Sequence, residues 1–247
     1  MTYQQYWNDT VLEQTKAFWI QDVNDPRLLN FLQKETNLEA SFRDGLTFIE
    51  ERLGGVKGIT FDIAAGVCWT SAIMSRFPLV DKICALDVSQ HRLFRLAPLV
   101  FGQYQALEEK IWRECADLTE LDIPANSADL VVFCQALYMF HRPVEMLRNV
   151  YRMLKPDGVV MIACENIASP SPWHARAVAA ARAWWRHACE GELPPPDSSG
   201  RHAYLDKHYR SFLSAAGFRL HVQQLNYPVL PGSRVLGRNY FGSKVPR

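Results

Sequence analysis

The sequence predicts a doubly wound α/β domain built on a mostly parallel sheet, and three observations carry that expectation. Through the middle of the chain, short β-branched or aromatic runs alternate with segments whose apolar residues recur at helical spacing. Right-handed crossovers turn such a rhythm into a parallel sheet covered by helices on both sides. The run ADLVVFC (128–134) is nearly all apolar, as a strand buried on both faces must be. The length, 247 residues, suits one substantial core and is short for two.

The elements follow in order. GITFDIA (58–64) is a β-branched and aromatic strand, and TSAIMSRF (70–77) after it has helical spacing. KICALDV (82–88) is a second strand, followed by a polar helix start at Ser89-Gln90. KIWREC (110–115) and ADLVVFC are the third and fourth. Pro143 then suits a helix first turn, and Val144, Leu147, Val150, Tyr151 and Leu154 share one helical face. KPDG (155–158) stops that helix and VVMIACE (159–165) is the fifth strand. A last helix, LDKHYRSFLSAAGF (205–218), precedes FRLHVQQL (218–225) and SRVLGRNYF (233–241). The link between these two runs is too short for a helical crossover, so they should pair antiparallel at one edge of a seven-stranded sheet.

Two segments stand outside this unit. Residues 1–54 read as a helical cover bearing Tyr6, Trp7 and Trp19. Within the α/β domain, taken as 55–247, an Ala- and Arg-rich insert at about 168–203 reads as a lid with Trp173, His174 and His202. Such aromatics and histidines either pack as ordinary core or fold over the strand ends.

Composition excludes several classes. With 27 basic and 26 acidic side chains, no general field favours nucleic acid or an anionic membrane. The start lacks a basic region followed by an apolar core, and no window approaches the roughly 18 apolar residues of a membrane span, so a cytoplasmic protein is expected. The six cysteines form no C-x-x-C pair and have no histidine at metal spacing, which fits reduced, structural thiols and no metal.

In doubly wound sheets ligands sit beyond the carboxyl ends of the strands, above the first strand-to-helix turn. Here that turn is AAGVCW (64–69). A dinucleotide pyrophosphate wants glycine at three places where the backbone approaches closely or takes a positive φ. This turn supplies one, Gly66, which counts against a nicotinamide oxidoreductase. The second strand ends in Asp87, at about the distance where an acid meets ribose hydroxyls. The third runs into Ala116-Asp117-Leu118, where Asp117 suits an adenine amine and Leu118 the ring face.

The order D-I-A-A-G-V-C, L-D-V, A-D-L, S-A-D-L-V-V-F-C-Q-A-L and L-K-P-D-G resembles the class I S-adenosylmethionine-dependent methyltransferases, over roughly Gly58 to Gly217. Their first motif usually reads D-x-G-x-G-x-G. Asp62 and Gly66 match it, while Ala64 and Cys68 replace two glycines. The resemblance implies a Rossmann-like methyltransferase fold and S-adenosylmethionine as cofactor. The turn from Ala64 and Ala65 through Gly66 to Cys68 would pass beneath the methionine part, with Cys134 and Gln135 touching it. Asp87 with Val88 would hold the ribose, and Ala116, Asp117 and Leu118 the adenine. The sulfonium cofactor would need less glycine than a dinucleotide.

Methyl transfer rests mainly on holding the acceptor in line and excluding water, with a base where the acceptor loses a proton. Candidates on the acceptor side are Tyr138, His141 and Glu165. His141 is either a solvent-facing residue at a helix start or a general base. Glu165 is either a buried acid paired with an arginine or a substrate anchor. The expected partner is a small-molecule methyl acceptor, with transfer to oxygen preferred over nitrogen or carbon and a carboxylate or phenol in view. Nucleic acid and membrane are not expected, and the chain should act as a monomer or homodimer. A cofactor-binding protein without transfer activity is the alternative from another class.

Overall fold

A computed structural model describes residues 22–118, 121–165, 167, 202, 204–233 and 235–244. Tyr6, Trp7, Trp19, Trp173 and His174 lie outside the described residues. Seven strands form one sheet in the order β3-β2-β1-β4-β5-β7-β6. They are β1 (Gly58–Ile63), β2 (Val80–Asp87), β3 (Ile111–Cys115), β4 (Ala128–Cys134), β5 (Leu154–Ala163), β6 (Arg219–Gln224) and β7 (Arg238–Ser243). The first five pair in parallel, whereas β7 runs antiparallel to both β5 and β6. The chain order reverses between β1 and β4, which puts the switch point at the carboxyl ends of those strands.

Period-two alternation assigns the strand residues to two layers. Leu130 and Val132 of β4 and Met161 of β5 face one apolar cluster. Val131 and Phe133, with Val160 and Ile162, face the other. On the first side pack α1 (Arg27–Asn30, continuing as a wider turn to Glu35), α2 (Leu38–Arg52), α3 (Trp69–Ser75) and α4 (Ala97–Tyr104). On the second side pack α5 (Pro143–Met153) and α6 (Asp206–Ala215). α5 buries Met146, Leu147, Val150 and Met153; of the face read from the sequence, Leu147 and Val150 are buried, Val144 and Tyr151 are half-buried, and Leu154 already begins β5.

Three boundaries differ from the sequence expectation. KPDG does end α5, but it lies inside β5 as a bulge, because register jumps from Ala128↔Leu154 to Leu130↔Val159 and Asp157 takes φ 66°. Strand β7 starts at Arg238, not Ser233. The preceding loop closes on itself, with the Gly237 amide donating to Tyr227 O (2.8 Å). Among the described residues before Gly54, α1 with its continuation and α2 are helical, but α2 belongs to the sheet's own packing layer. Its Phe42, Leu46 and Ile49 are buried, Phe48 stacks on Phe241 at 4.6 Å, and Gly45 lets the helix sit close against Met161 and Asn239. Deleting residues before Gly54 would strip this face from the core instead of removing a detachable cover.

Candidate functional site

The carboxyl ends of β1, β2 and β4 meet at the switch point, and each continues into a fixed turn. After β1 the chain takes φ 55° at Ala64, 56° at Gly66 and 59° at Cys68. These are the three positions where the resembled motif carries glycine, so the turn keeps the glycine path with two residues that disfavour it. The expectation that only Gly66 needs such geometry is corrected: backbone bonds override residue preference. The Ala65 amide donates to Leu86 O (2.9 Å), the Cys68 amide to Ala65 O (2.8 Å), and the Ala72 amide returns to Cys68 O (2.9 Å).

Left-handed backbone costs a residue with a Cβ roughly 1–2 kcal/mol, so Ala64→Gly is expected to stabilise the fold by about 1 kcal/mol, read as a higher urea midpoint. Cys68→Gly should change stability little. There the relieved strain is offset by loss of a fully buried side chain, worth roughly 1 kcal/mol.

Two buried acids brace the turn. Asp62 is 1% exposed and accepts from Thr70 Oγ1 (2.6 Å) and Ser71 Oγ (2.5 Å) at the start of α3. Burial outweighs those bonds and pushes its carboxyl up to about 6. Asp62 therefore shapes the cofactor turn from behind. Asp87 accepts the Gly66 amide on Oδ2 and the Ser89 amide on Oδ1, both at 2.8 Å. Burial raises it too, against the lowering effect of Arg92 and of the two amides. Each oxygen takes one backbone donor, and a carboxylate offers about four acceptor positions, which leaves capacity for two hydroxyls. Around it, the Ala116 amide donates to Asp87 O (3.1 Å) and Cys115 Sγ lies 3.6 Å from Val88 O. Leu118 is buried beside the half-buried Asp117.

At the ends of β4 and β5, Gln135 (φ 53°) and Cys164 (φ 60°) are again left-handed, so strained backbone gathers at one edge of the sheet. Cys134 is half-buried; burial first, then the adjoining Cys164 thiol, push its own thiol up. Glu165 is 2% exposed. Its Oε1 accepts the amides of Ala136 (2.9 Å) and Leu137 (3.1 Å), and its Oε2 accepts the Tyr138 amide (3.3 Å) and Tyr209 Oη (3.0 Å). Among the described residues no arginine is one of these partners, so of the two alternatives read for Glu165 the arginine pair is not seen; backbone amides and a phenol satisfy the carboxylate. The loop carrying Tyr138 and His141 is thereby pinned to the end of β5. His141, expected either free in solvent or as a base, is exposed, and its Nδ1 lies 3.0 Å from Nε2 of His202.

Burial holds the Glu165 carboxyl up at about 7. Its folded value and that of Asp62 lie above their unfolded ones, so the native state binds more protons between the two. The contribution of these two groups is fully present below about pH 4 and is lost as pH rises to about 7, by an order of 3 kcal/mol for Glu165. Urea midpoints at pH 5 and 8 check this, and Glu165→Gln should flatten the slope.

Sequence reasoning missed Thr70, Ser71, Ser89 and Tyr209. The hydroxyl pair directly after the turn was a usable signal; Tyr209, distant in sequence from Glu165, gave none.

A methyl-donor nucleoside fits these residues. A Cβ built on Gly66 would meet nothing within 4 Å, so the backbone there is open to close approach. Asp87 has acceptor positions left for two hydroxyls, and Leu118 is a buried apolar side chain. Among the described residues no cluster of three or more His, Cys, Asp or Glu could hold a metal ion, and no helix is long and apolar enough to cross a membrane.

Comparison with known proteins agrees with this geometry. Residues 61–162 match the family described as a methyltransferase domain. No curated protein matches the chain in sequence. Among solved structures, YcgJ from Bacillus subtilis is 16% identical with TM-score 0.58, over 83% of this chain and 100% of that one. A SAM-dependent methyltransferase from Aquifex aeolicus is 16% identical with TM-score 0.55, over 90% and 99%. The [4+2]-cyclase SpnF is 16% identical with TM-score 0.59, over 93% and 86%. At such identities the likeness speaks for the fold, which is the Rossmann-like methyltransferase fold. The match to a methyltransferase domain over residues 61–162 agrees with the fold and with the resemblance to the class I S-adenosylmethionine-dependent methyltransferases, for which S-adenosylmethionine is the implied cofactor.

Proposed function

We propose that the chain transfers a methyl group to the oxygen of a small molecule, a phenol or a carboxylic acid. The observation that carries this is the loop after β4. Glu165 pins residues 136–138 to the sheet's carboxyl edge, and the same loop carries Tyr138 and an exposed imidazole, His141. S-adenosylmethionine supplies a methyl group already activated by positive sulfur. The chain's own task is therefore to hold the acceptor and take its proton. In this reading Gly66 and the Ala64–Cys68 turn carry the methionine part, Asp87 the ribose, and Asp117 with Leu118 the adenine. Tyr138 lines the acceptor side, and His141 Nε2 receives the proton of a phenolic acceptor.

A panel of phenols, carboxylic acids, amines and carbon nucleophiles offered with methyl-labelled S-adenosylmethionine tests the proposal. Label on oxygen acceptors supports it, and label on amines or carbon alone overturns it. A second reading, cofactor binding without methyl transfer, is favoured by the likeness to SpnF, a protein of this fold named for a [4+2] cyclisation. Tight cofactor binding with no labelled product from any acceptor would select that reading.

A further inference from the structure

We propose that His202 is a positioning residue for His141: it holds Nδ1 of that ring so that Nε2 is kept as the proton-accepting atom. The role rests on the methyl-transfer reading above. The two residues are 61 apart in sequence, and their rings meet edge to face with centroids 5.2 Å apart and planes at 83°.

Backbone bonds on both sides make this contact a built one. The His202 amide donates to Tyr138 O (2.8 Å), and Tyr204 Oη donates to Phe140 O (3.2 Å). Residues 202 and 204 are thus stitched to alternate residues of the loop that carries His141. The His202 ring lies flat on Tyr204, at 5.3 Å and 6°, and fully buried Tyr204 is itself wedged edge-on against Tyr209 and Phe212. Tyr138 is in turn clamped by Glu165. The sheet, the loop and the imidazole pair therefore form one continuous support.

A nitrogen-to-nitrogen hydrogen bond between imidazoles needs one proton between the two atoms, and two arrangements satisfy it. The surroundings of the rings choose between them. His202 is 7% exposed, and burial disfavours positive charge there, whereas His141 is exposed. A proton arriving at Nε2 of His141 leaves its Nδ1–H donating to His202 Nε2. The tautomer ready to take that proton at Nε2 already carries hydrogen on Nδ1, so uptake requires no ring flip. The bond then becomes charge-assisted and roughly twice as strong.

Arg142 pairs with Glu145 at 3.3 Å, and His208 Nδ1 accepts the Leu205 amide at 3.1 Å. The logic is that of a base oriented by a third group, with a neutral ring in place of a carboxylate.

The test uses the full-length protein with 15N-labelled histidine. A scalar coupling across the hydrogen bond from His141 Nδ1 to His202 Nε2, with the hydrogen on Nδ1, is expected and needs no turnover to be seen. His202→Phe keeps the ring stack on Tyr204 and removes the bond. It should bind S-adenosylmethionine as the parent does and lose about 10-fold or more in kcat with KM nearly unchanged. His202→Gln, whose Oε1 can accept from His141 Nδ1–H, should recover most of that loss.

The proposal is overturned by absence of the coupling, or by hydrogen on Nε2 of His141. It is also overturned if His202→Phe keeps full kcat while His141→Phe loses about 100-fold or more. If His141→Phe keeps full kcat as well, the base assignment itself fails, and a coupling seen alone would then describe a structural clamp.

Discussion

Replacing Glu165 with alanine is expected to destabilise the protein by about 3 kcal/mol and to abolish methyl transfer, while the folded fraction still binds S-adenosylmethionine within a few-fold of the parent. The size follows from what the substitution strands. Three backbone amides, of Ala136, Leu137 and Tyr138, and the Tyr209 hydroxyl all donate to this carboxylate. A buried donor left unsatisfied costs about 1–3 kcal/mol, and part of the total is recovered as the loop relaxes and admits water. The split between binding and turnover follows from position. Glu165 is bonded to the loop after β4, whereas the contacts of Asp87 and Gly66 lie at β1 and β2. Urea unfolding at pH 8, paired with titration of the cofactor, checks both halves. Unchanged stability would mean that the loop stands without the carboxylate.

Replacing Asp87 with alanine has the second large expected effect, on cofactor binding. Affinity for S-adenosylmethionine should fall by about 1.5–3 kcal/mol, because charge-assisted hydrogen bonds to the ribose are lost. The structure adds a second cause. Asp87 also holds the Gly66 amide at 2.8 Å, so its loss loosens the turn that lies against the cofactor. Asp87→Asn separates the two causes. It keeps an acceptor for one amide and turns a donor toward the other, so it should fall between the parent and the alanine variant. Affinity equal to the parent's in both variants would refute the ribose assignment.

These residues also show what a sequence reveals and what it hides. The strands and the antiparallel edge were legible because strand periodicity and the absence of a crossover between the last two runs are local signals. The place of Asp87 at the end of the second strand was legible because the strand pattern stops there. The turn was misread for a physical reason: Ala64 and Cys68 argue against left-handed backbone, and bonds to Leu86, Ala65, Ala72 and Asp87 hold it there. The partners of Glu165 were hidden because backbone amides leave no side-chain pattern. His141 and His202 were each singled out, but their meeting depends on tertiary structure. The apolar face of α2 was visible as a helix, yet its place in the sheet's packing layer depends on Gly45 meeting Met161 and Asn239.

The most direct test of the central claim is calorimetric titration of the purified protein with S-adenosylmethionine, with S-adenosylhomocysteine and NADH as parallel titrants. The account predicts micromolar binding of the first two, heat near zero for NADH, and a weakened isotherm for Asp87→Ala. Binding of NADH alone, or S-adenosylmethionine binding indifferent to Asp87, would contradict it.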